Sequence, residues 1–125
     1  MDISELCTAG AHNEGAEITI IHPVTREKTD LKITLLGIDS KAWRKAQKDM
    51  QRKVLAALAN KSEIDEDEIE VEALAAVTTE WTGLVKDGQP VKFTKAACKA
   101  LYKDAPAVRD QVDRFIGDRR NFIKG

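Results

Sequence analysis

Cysteine and histidine are the side chains with intrinsic reactivity near neutral pH, and the chain holds two of each: Cys7, Cys98, His12 and His22. A nucleophilic thiol needs a base within reach. A metal centre needs three or four ligands in close, paired spacing. These four residues are scattered, with no CxxC or HxxxH pair, so neither a metal site nor a cofactor is expected. The one nucleophilic arrangement they could build joins Cys98 to a distant histidine and an acid. Cys98, however, falls on the inward face of a short helical pattern and reads as a core thiol. Cys7 reads as a second buried thiol, and the pair fits a reducing compartment. His22 precedes Pro23 and reads as the end of a strand. Gly10, Gly15 and Gly37 lack the spacing of a phosphate-binding loop. No catalytic constellation emerges, and the expectation is a protein that is not an enzyme.

Charge is the other chemistry on offer. Glu63, Asp65, Glu66, Asp67, Glu68, Glu70 and Glu72 form an acidic run. It lacks the glycine and ligand spacing of a calcium-binding loop and suits the start of a helix, where carboxylates are favoured. Lys41, Lys45, Lys48 and Arg52 recur every three or four residues and make a basic stripe. Such a stripe could meet nucleic acid, but a net charge of −1 lacks the basic excess of a dedicated binder, so nucleic acid is not expected as a partner. The two stripes could instead pair with each other, within the chain or between copies.

The elements that carry these residues can be read from periodicity. A length of 125 residues fits one domain, and 42% hydrophobic with 33% charged content suits a globular chain. Residues 1–16 are expected to be partly ordered, with one helical turn before a loop over Gly10 to Gly15. Residues 17–36 form a β-hairpin. Ile18 and Ile20 alternate with polar residues on the way out, and Leu31, Ile33 and Leu35 on the return. The remainder, 40–125, is helical. Asp39 or Ser40 caps a helix from Lys41 to Asn60 with an inward stripe of Trp43, Ala46, Met50, Val54 and Leu58. Asp65 and Glu68 open the next helix, which carries Ile69, Leu74, Val77 and Trp81 inward and ends at Trp81-Thr82-Gly83. Asp87-Gly88 marks a turn, and Val91 and Phe93 anchor the loop around it. Thr94 caps a short helix with Ala97, Cys98 and Leu101 inward.

A last helix starts at Asp104, takes Pro106 as its first residue and turns Val108, Val112, Phe115, Ile116 and Phe122 to one side, with Lys124 among the polar residues elsewhere. The fold class is thus α+β, a mainly helical single domain with an N-terminal β-hairpin. No apolar run approaches the length of a membrane span, and no signal-peptide pattern opens the chain, so no membrane is expected and the expected location is the cytosol of whatever cell makes the chain.

Four stretches resemble the tail assembly chaperones of long-tailed bacteriophages, the lambda-type and HK97-like group. They are Ile20-Ile21-His22-Pro23-Val24-Thr25 with the return Leu31 to Gly37; Asp39-Ser40 before Trp43-Arg44; Trp81-Thr82-Gly83-Leu84 with Asp87-Gly88 and Pro90 to Thr94; and Leu101-Tyr102, Pro106 and Arg109 to Val112 before the closing Ile116-Gly117-Asp118-Arg119-Arg120-Asn121-Phe122-Ile123. Trp43, Trp81, Gly83, Asp118, Arg119 and Asn121 are the motif anchors. Ala107 departs from the pattern, since many relatives carry an aromatic after the proline. The resemblance implies a non-enzymatic, oligomeric protein of the host bacterial cytoplasm that keeps the tape measure protein soluble, helps recruit tail tube protein around it and is absent from the finished virion. The alternatives are a minor structural virion protein and a nucleic-acid-binding accessory protein. For partner or self-association contacts, the candidates are Ile18, Ile20, Ile33, Phe115, Phe122 and Ile123. Two large apolar residues so near a chain end call for cover from the core or from a partner.

Overall fold

The computed structural model describes residues 1–123, so Lys124 lies outside the described residues. A single 3-10 turn, Ile3–Glu5, opens the chain. Helix α1 (Ala9–Glu14), strands β1 (Ala16–Ile21) and β2 (Lys28–Leu35), and helices α2 (Lys41–Ala59) and α3 (Glu66–Ala76) follow. Then come strands β3 (Thr78–Thr82), β4 (Val85–Lys86) and β5 (Gln89–Pro90), helices α4 (Lys95–Asp104) and α5 (Pro106–Gly117), and a closing turn, Arg119–Asn121. No helix among the described residues is long and apolar enough to cross a membrane.

The expected hairpin is present, with Ile18 opposite Ile33 and Thr19 opposite Lys32. It is extended by a strand that the periodicity assigned to a helix. β3 pairs antiparallel with β2, giving a three-stranded sheet in the order β1-β2-β3. Leu74, Val77 and Trp81 are spaced as well for a helix as for a helix end followed by a strand. The β-branched run Val77-Thr78-Thr79 decides for the strand, because such residues pack well on a pleated sheet. Trp81 therefore sits opposite Ile33, buried, with its ring edge-on to Phe93 at 5.0 Å and its Nε1 donating to the Val91 carbonyl. Gly83 follows at φ +83, and a Cβ there would lie 1.9 Å from the Asp30 carbonyl oxygen, so only glycine fits this turn. Asp87 and Gly88, both at positive φ, close the two-residue turn between β4 and β5.

Side-chain caps set most helix starts. Ser40, not Asp39, accepts from the Trp43 amide, Asp65 from Glu68, and Thr94 from Ala97. Asp104 does not cap α5 but is the last residue of α4. Ala105 alone separates the two helices, and Pro106 opens the second, where its missing N–H costs nothing. The expected loop over Gly10 to Gly15 is helix α1, which buries His12. Cys7, expected to be buried, is exposed, while Cys98 is buried.

The core lies between the sheet and α3, α4 and α5. Ile20, Leu31, Ile33 and Leu35 meet Leu74, Val77, Tyr102, Val112, Ile116 and Phe122. Two polar devices tie the layers. The Gln111 side chain accepts from the Ile21 amide at 2.8 Å and donates to the Ile21 carbonyl at 2.9 Å, satisfying the edge of β1 from α5. Lys95 donates to the Ala75 and Thr78 carbonyls at 2.6 and 2.8 Å, a cation on carbonyls at the C-terminal end of α3.

Gly37, between β2 and α2, is buried under His12. A Cβ there would lie 2.0 Å from His12 Nδ1, and the ring is walled in. Gly37→Ala is expected to destabilise by about 1–3 kcal/mol through overpacking. Adding His12→Ala should return part of that loss. A urea-denaturation cycle over the two single variants and the double variant checks this, and strict additivity would refute the proposed clash.

Candidate functional site

Three regions carry chemistry: a polar junction between the chain ends, a groove on the helices, and the outer side of α2.

The junction is built around Asp39, in the loop that leads into α2. Arg119 grips its carboxylate in two parallel bonds of 2.7 and 2.9 Å. The Thr8 hydroxyl donates to the same carboxylate. His12 Nδ1 accepts from the Asp39 amide at 3.0 Å, so the ring proton sits on Nε2, which lies 3.7 Å from Asp39 Oδ2. Phe122 covers the imidazole at 4.5 Å between ring centres and meets Phe115 edge-on at 5.5 Å. Asp118 caps the closing turn and pairs with Arg120, while Asn121 donates to the Phe115 carbonyl at 2.9 Å. The motif residues near the C-terminus thus serve to fasten the tail. Arg119 and Thr8 hold the Asp39 carboxyl well below the usual carboxylate range. Burial pushes the His12 imidazole down, against the pull of Asp39, and Arg119 adds to the lowering.

The sequence-derived contact candidates divide sharply. Ile20, Ile33 and Phe122 are buried at 2%, 0% and 5% exposure, which places them in the core and removes them from any open face. The hairpin face expected to seek a partner is covered by the chain's own helices, and Phe122 is covered by His12. Ile18 and Phe115 are half-buried against the core, as is Trp43, and Ile123 is exposed at 45%. Cys98 lies beside Tyr102 and Thr78 in a sealed knot, where burial raises both the thiol and the phenol, and the Tyr102 hydroxyl bonds Thr78 at 2.7 Å. No histidine joins it. His22 instead accepts from the Val24 and Thr25 amides in an exposed turn.

The groove runs between α2, α3 and α4 and encloses about 550 Å³. Its floor is apolar, from Ala46, Met50, Ile69, Ala73 and Ala76, and its rim carries Arg52, Lys53, Lys95 and Lys99 against Asp49 and Glu72. Lys53 pairs with Glu72 across the α2–α3 boundary and Arg52 with Asp49 at 3.3 Å, so both acids of the rim are engaged with two of its cations, and Lys95, held by carbonyls, and Lys99 leave the rim a positive excess. A segment with an apolar ridge and acidic flanks fits such a trough.

On α2 itself only Ala46 is buried. Leu58, expected to face inward, is 65% exposed, as is Leu55, which no periodicity argument singled out. The signal that could have found them is spacing: Arg44, Lys48, Gln51, Leu55 and Leu58 recur at intervals of four and three, a seam distinct from the inward one.

The junction makes folding acid-sensitive. A folded-state His12 pKa below its usual value of about 6.5 means stability is fully present above that pH and declines as pH falls below it. Asp39, depressed likewise, adds a second loss that begins as pH drops below about 4. The urea midpoint should therefore hold between pH 8 and 7 and fall between pH 6.5 and 5. His12→Gln should flatten that slope. An unchanged slope in His12→Gln would place the sensitivity elsewhere.

Residues 38–123, from the Asp39 loop through α2 to the fastened tail, match the family model described as YdaY prophage protein. No curated protein and no solved structure matches the chain. The match covers more than half of the chain and includes Asp39, the groove helices and Arg119, and so the chain belongs to the YdaY prophage protein family.

Proposed function

We propose that this prophage protein is a tail assembly chaperone, which binds the tape measure protein, keeps it soluble and helps recruit tail tube subunits before leaving the finished particle. The observation that carries the reading is the apolar, cation-rimmed groove between α2, α3 and α4. A tape measure protein is long, helical and apolar in stripes, and an amphipathic helix lays its apolar face into such a groove. Membership of a prophage family supports the setting, and the four resembling stretches support the role. Binding energy would come from covering the Ala46, Met50, Ile69 and Ala76 floor. The rim cations would select clients with acidic flanks and speed encounter more than they add affinity.

The test is co-expression with the tape measure protein of the same prophage. The expected result is that the client stays soluble and co-purifies. Arg52→Glu combined with Lys99→Glu reverses the rim on exposed side chains, and should lower client retention at least tenfold while leaving the far-UV circular dichroism unchanged. A client that stays insoluble beside the wild-type chain overturns the reading. Detection of the chain in purified particles would favour a structural virion component. DNA retention lost in Lys45→Glu/Lys48→Glu would favour the nucleic-acid reading.

A further inference from the structure

The trough assigned to the client does not end where α2 leaves it. Glu72 of α3 and Lys99 of α4 line it, and the same two side chains also line a second hollow of about 520 Å³. That hollow lies where the first turn of α3 meets the last turn of α4 and the start of α5. Its floor is again apolar, from Val71, Ala100 and Pro106. α3 and α4 run in opposite directions, so the two hollows follow one line. Lys95, at the start of α4, donates to the Ala75 carbonyl near the end of α3, while Lys103 and Asp65 line the second hollow together. Lys95 and Lys103 lie roughly two turns apart within α4, or about 12 Å of helix.

Charge changes sign along this line. The first section lies between α2 and α4, and both are basic. Asp49 is the single acid of α2, and the two rim acids are held by Arg52 and Lys53, so Lys95 and Lys99 stand in excess. The second section lies beside the opening of α3, a helix of acids with no basic residue. Glu68 lines it, and Glu63 and Glu66 belong to the adjoining surface that shares Asp65 and Asp67. Glu63, Glu66 and Glu68 are exposed and make no ion pair among the described residues. The cations of this section are already provided for. Arg109 is only 12% exposed, with Asp67 3.7 Å from its guanidinium, and Lys103 sits in the last turn of α4, where carbonyls favour a cation. The dipole of α3 offsets about half a charge at its N-terminus, which leaves the acids in excess.

An amphipathic helix laid along both hollows therefore meets cations first and carboxylates about two turns further on. We infer that the client groove is charge-polarised end to end. It takes a helix whose apolar ridge is flanked by acidic residues in one half and by basic residues in the other. The acidic half lies between α2 and α4, and the basic half lies at the start of α3. The reversed pose is rejected, since each half would then face its own sign. This polarity presupposes the client reading and adds what the site selects and which way the bound helix lies.

The experiment uses the full chain and two fluorescent synthetic peptides with the same leucine ridge and the same composition. One carries glutamates in its N-terminal half and lysines in its C-terminal half; the other interleaves them. At low salt the segregated peptide should bind about tenfold more tightly by anisotropy, and added salt should shrink that advantage. A photoreactive residue at its lysine end should label the start of α3, and one at its glutamate end should label α2. Glu66→Gln/Glu68→Gln should erase the preference with unchanged circular dichroism, because glutamine at the third helical position keeps the capping role of Glu68 and removes its charge. Equal affinity for the two peptides, no binding of either, labelling without end preference, or a preference that survives in the glutamine variant would each overturn the inference. The client test separates from this one. A tape measure protein that stays soluble with the chain while both peptides bind alike sinks the polarity alone, whereas one that stays insoluble sinks the client reading itself.

Discussion

The Asp39 carboxylate is the point on which three distant parts of the chain depend. It receives Thr8 from the N-terminal segment and Arg119 from the C-terminal tail, and its own amide donates to His12 of α1. Gly37, two residues earlier, lets the imidazole lie flat on the backbone. With the ring held there, Phe122 has a surface to cover and the tail turns inward. A bidentate guanidinium–carboxylate pair is directional, so it specifies this closure as well as favouring it. The same arrangement favours the neutral imidazole, because its Nδ1 is already an acceptor and burial disfavours the charged ring against the pull of Asp39.

The parts of the fold that could be read in the sequence are those set by local rules. The hairpin was legible because Leu31, Ile33 and Leu35 alternate strictly and are buried as their period requires. The caps Ser40, Asp65 and Thr94 were legible because a short polar side chain before an apolar-periodic run has one common use. β3 was not, since Leu74, Val77 and Trp81 satisfy a helical spacing and no glycine or proline separates α3 from the strand. The junction was invisible for a different reason. His12, Asp39 and Arg119 lie far apart in sequence, and no local pattern announces a contact made across the whole chain.

Three of the candidate contacts, Ile20, Ile33 and Phe122, were misread through the same limitation. Phe122 was correctly singled out as a residue that needs cover. Sequence could not say that the cover is His12, because a helix over Ala9–Glu14 was not expected there. The opposite error was made on α2, where Leu58 was assigned inward by extending a stripe that holds from Trp43 through Val54 and fails at Leu58. A helix turns 3.6 residues at a time, and an inward stripe drifts off the core unless a neighbour follows it. α3 packs beside α2 but does not cover its last turns.

That leaves a physical question about α2 itself. Most helices in small domains persist because one face is buried, yet α2 buries only Ala46 among 19 residues. Its composition explains how it persists. Alanine, lysine, arginine, glutamine, leucine and methionine make up most of it, and all are strong helix formers. Ser40 holds its start, and Lys61, at positive φ, ends it. Ala42 and Trp43 add packing against the core near its start, and the rest of its surface is free for something other than the core. Here one flank forms a wall of the groove and the other carries the exposed leucines. The core of α3, α4, α5 and the sheet would be complete without Leu55 and Leu58, so neither leucine is explained by the stability of the monomer. Leu55 and Leu58 are apolar surface that the monomer leaves uncovered on an otherwise charged helix.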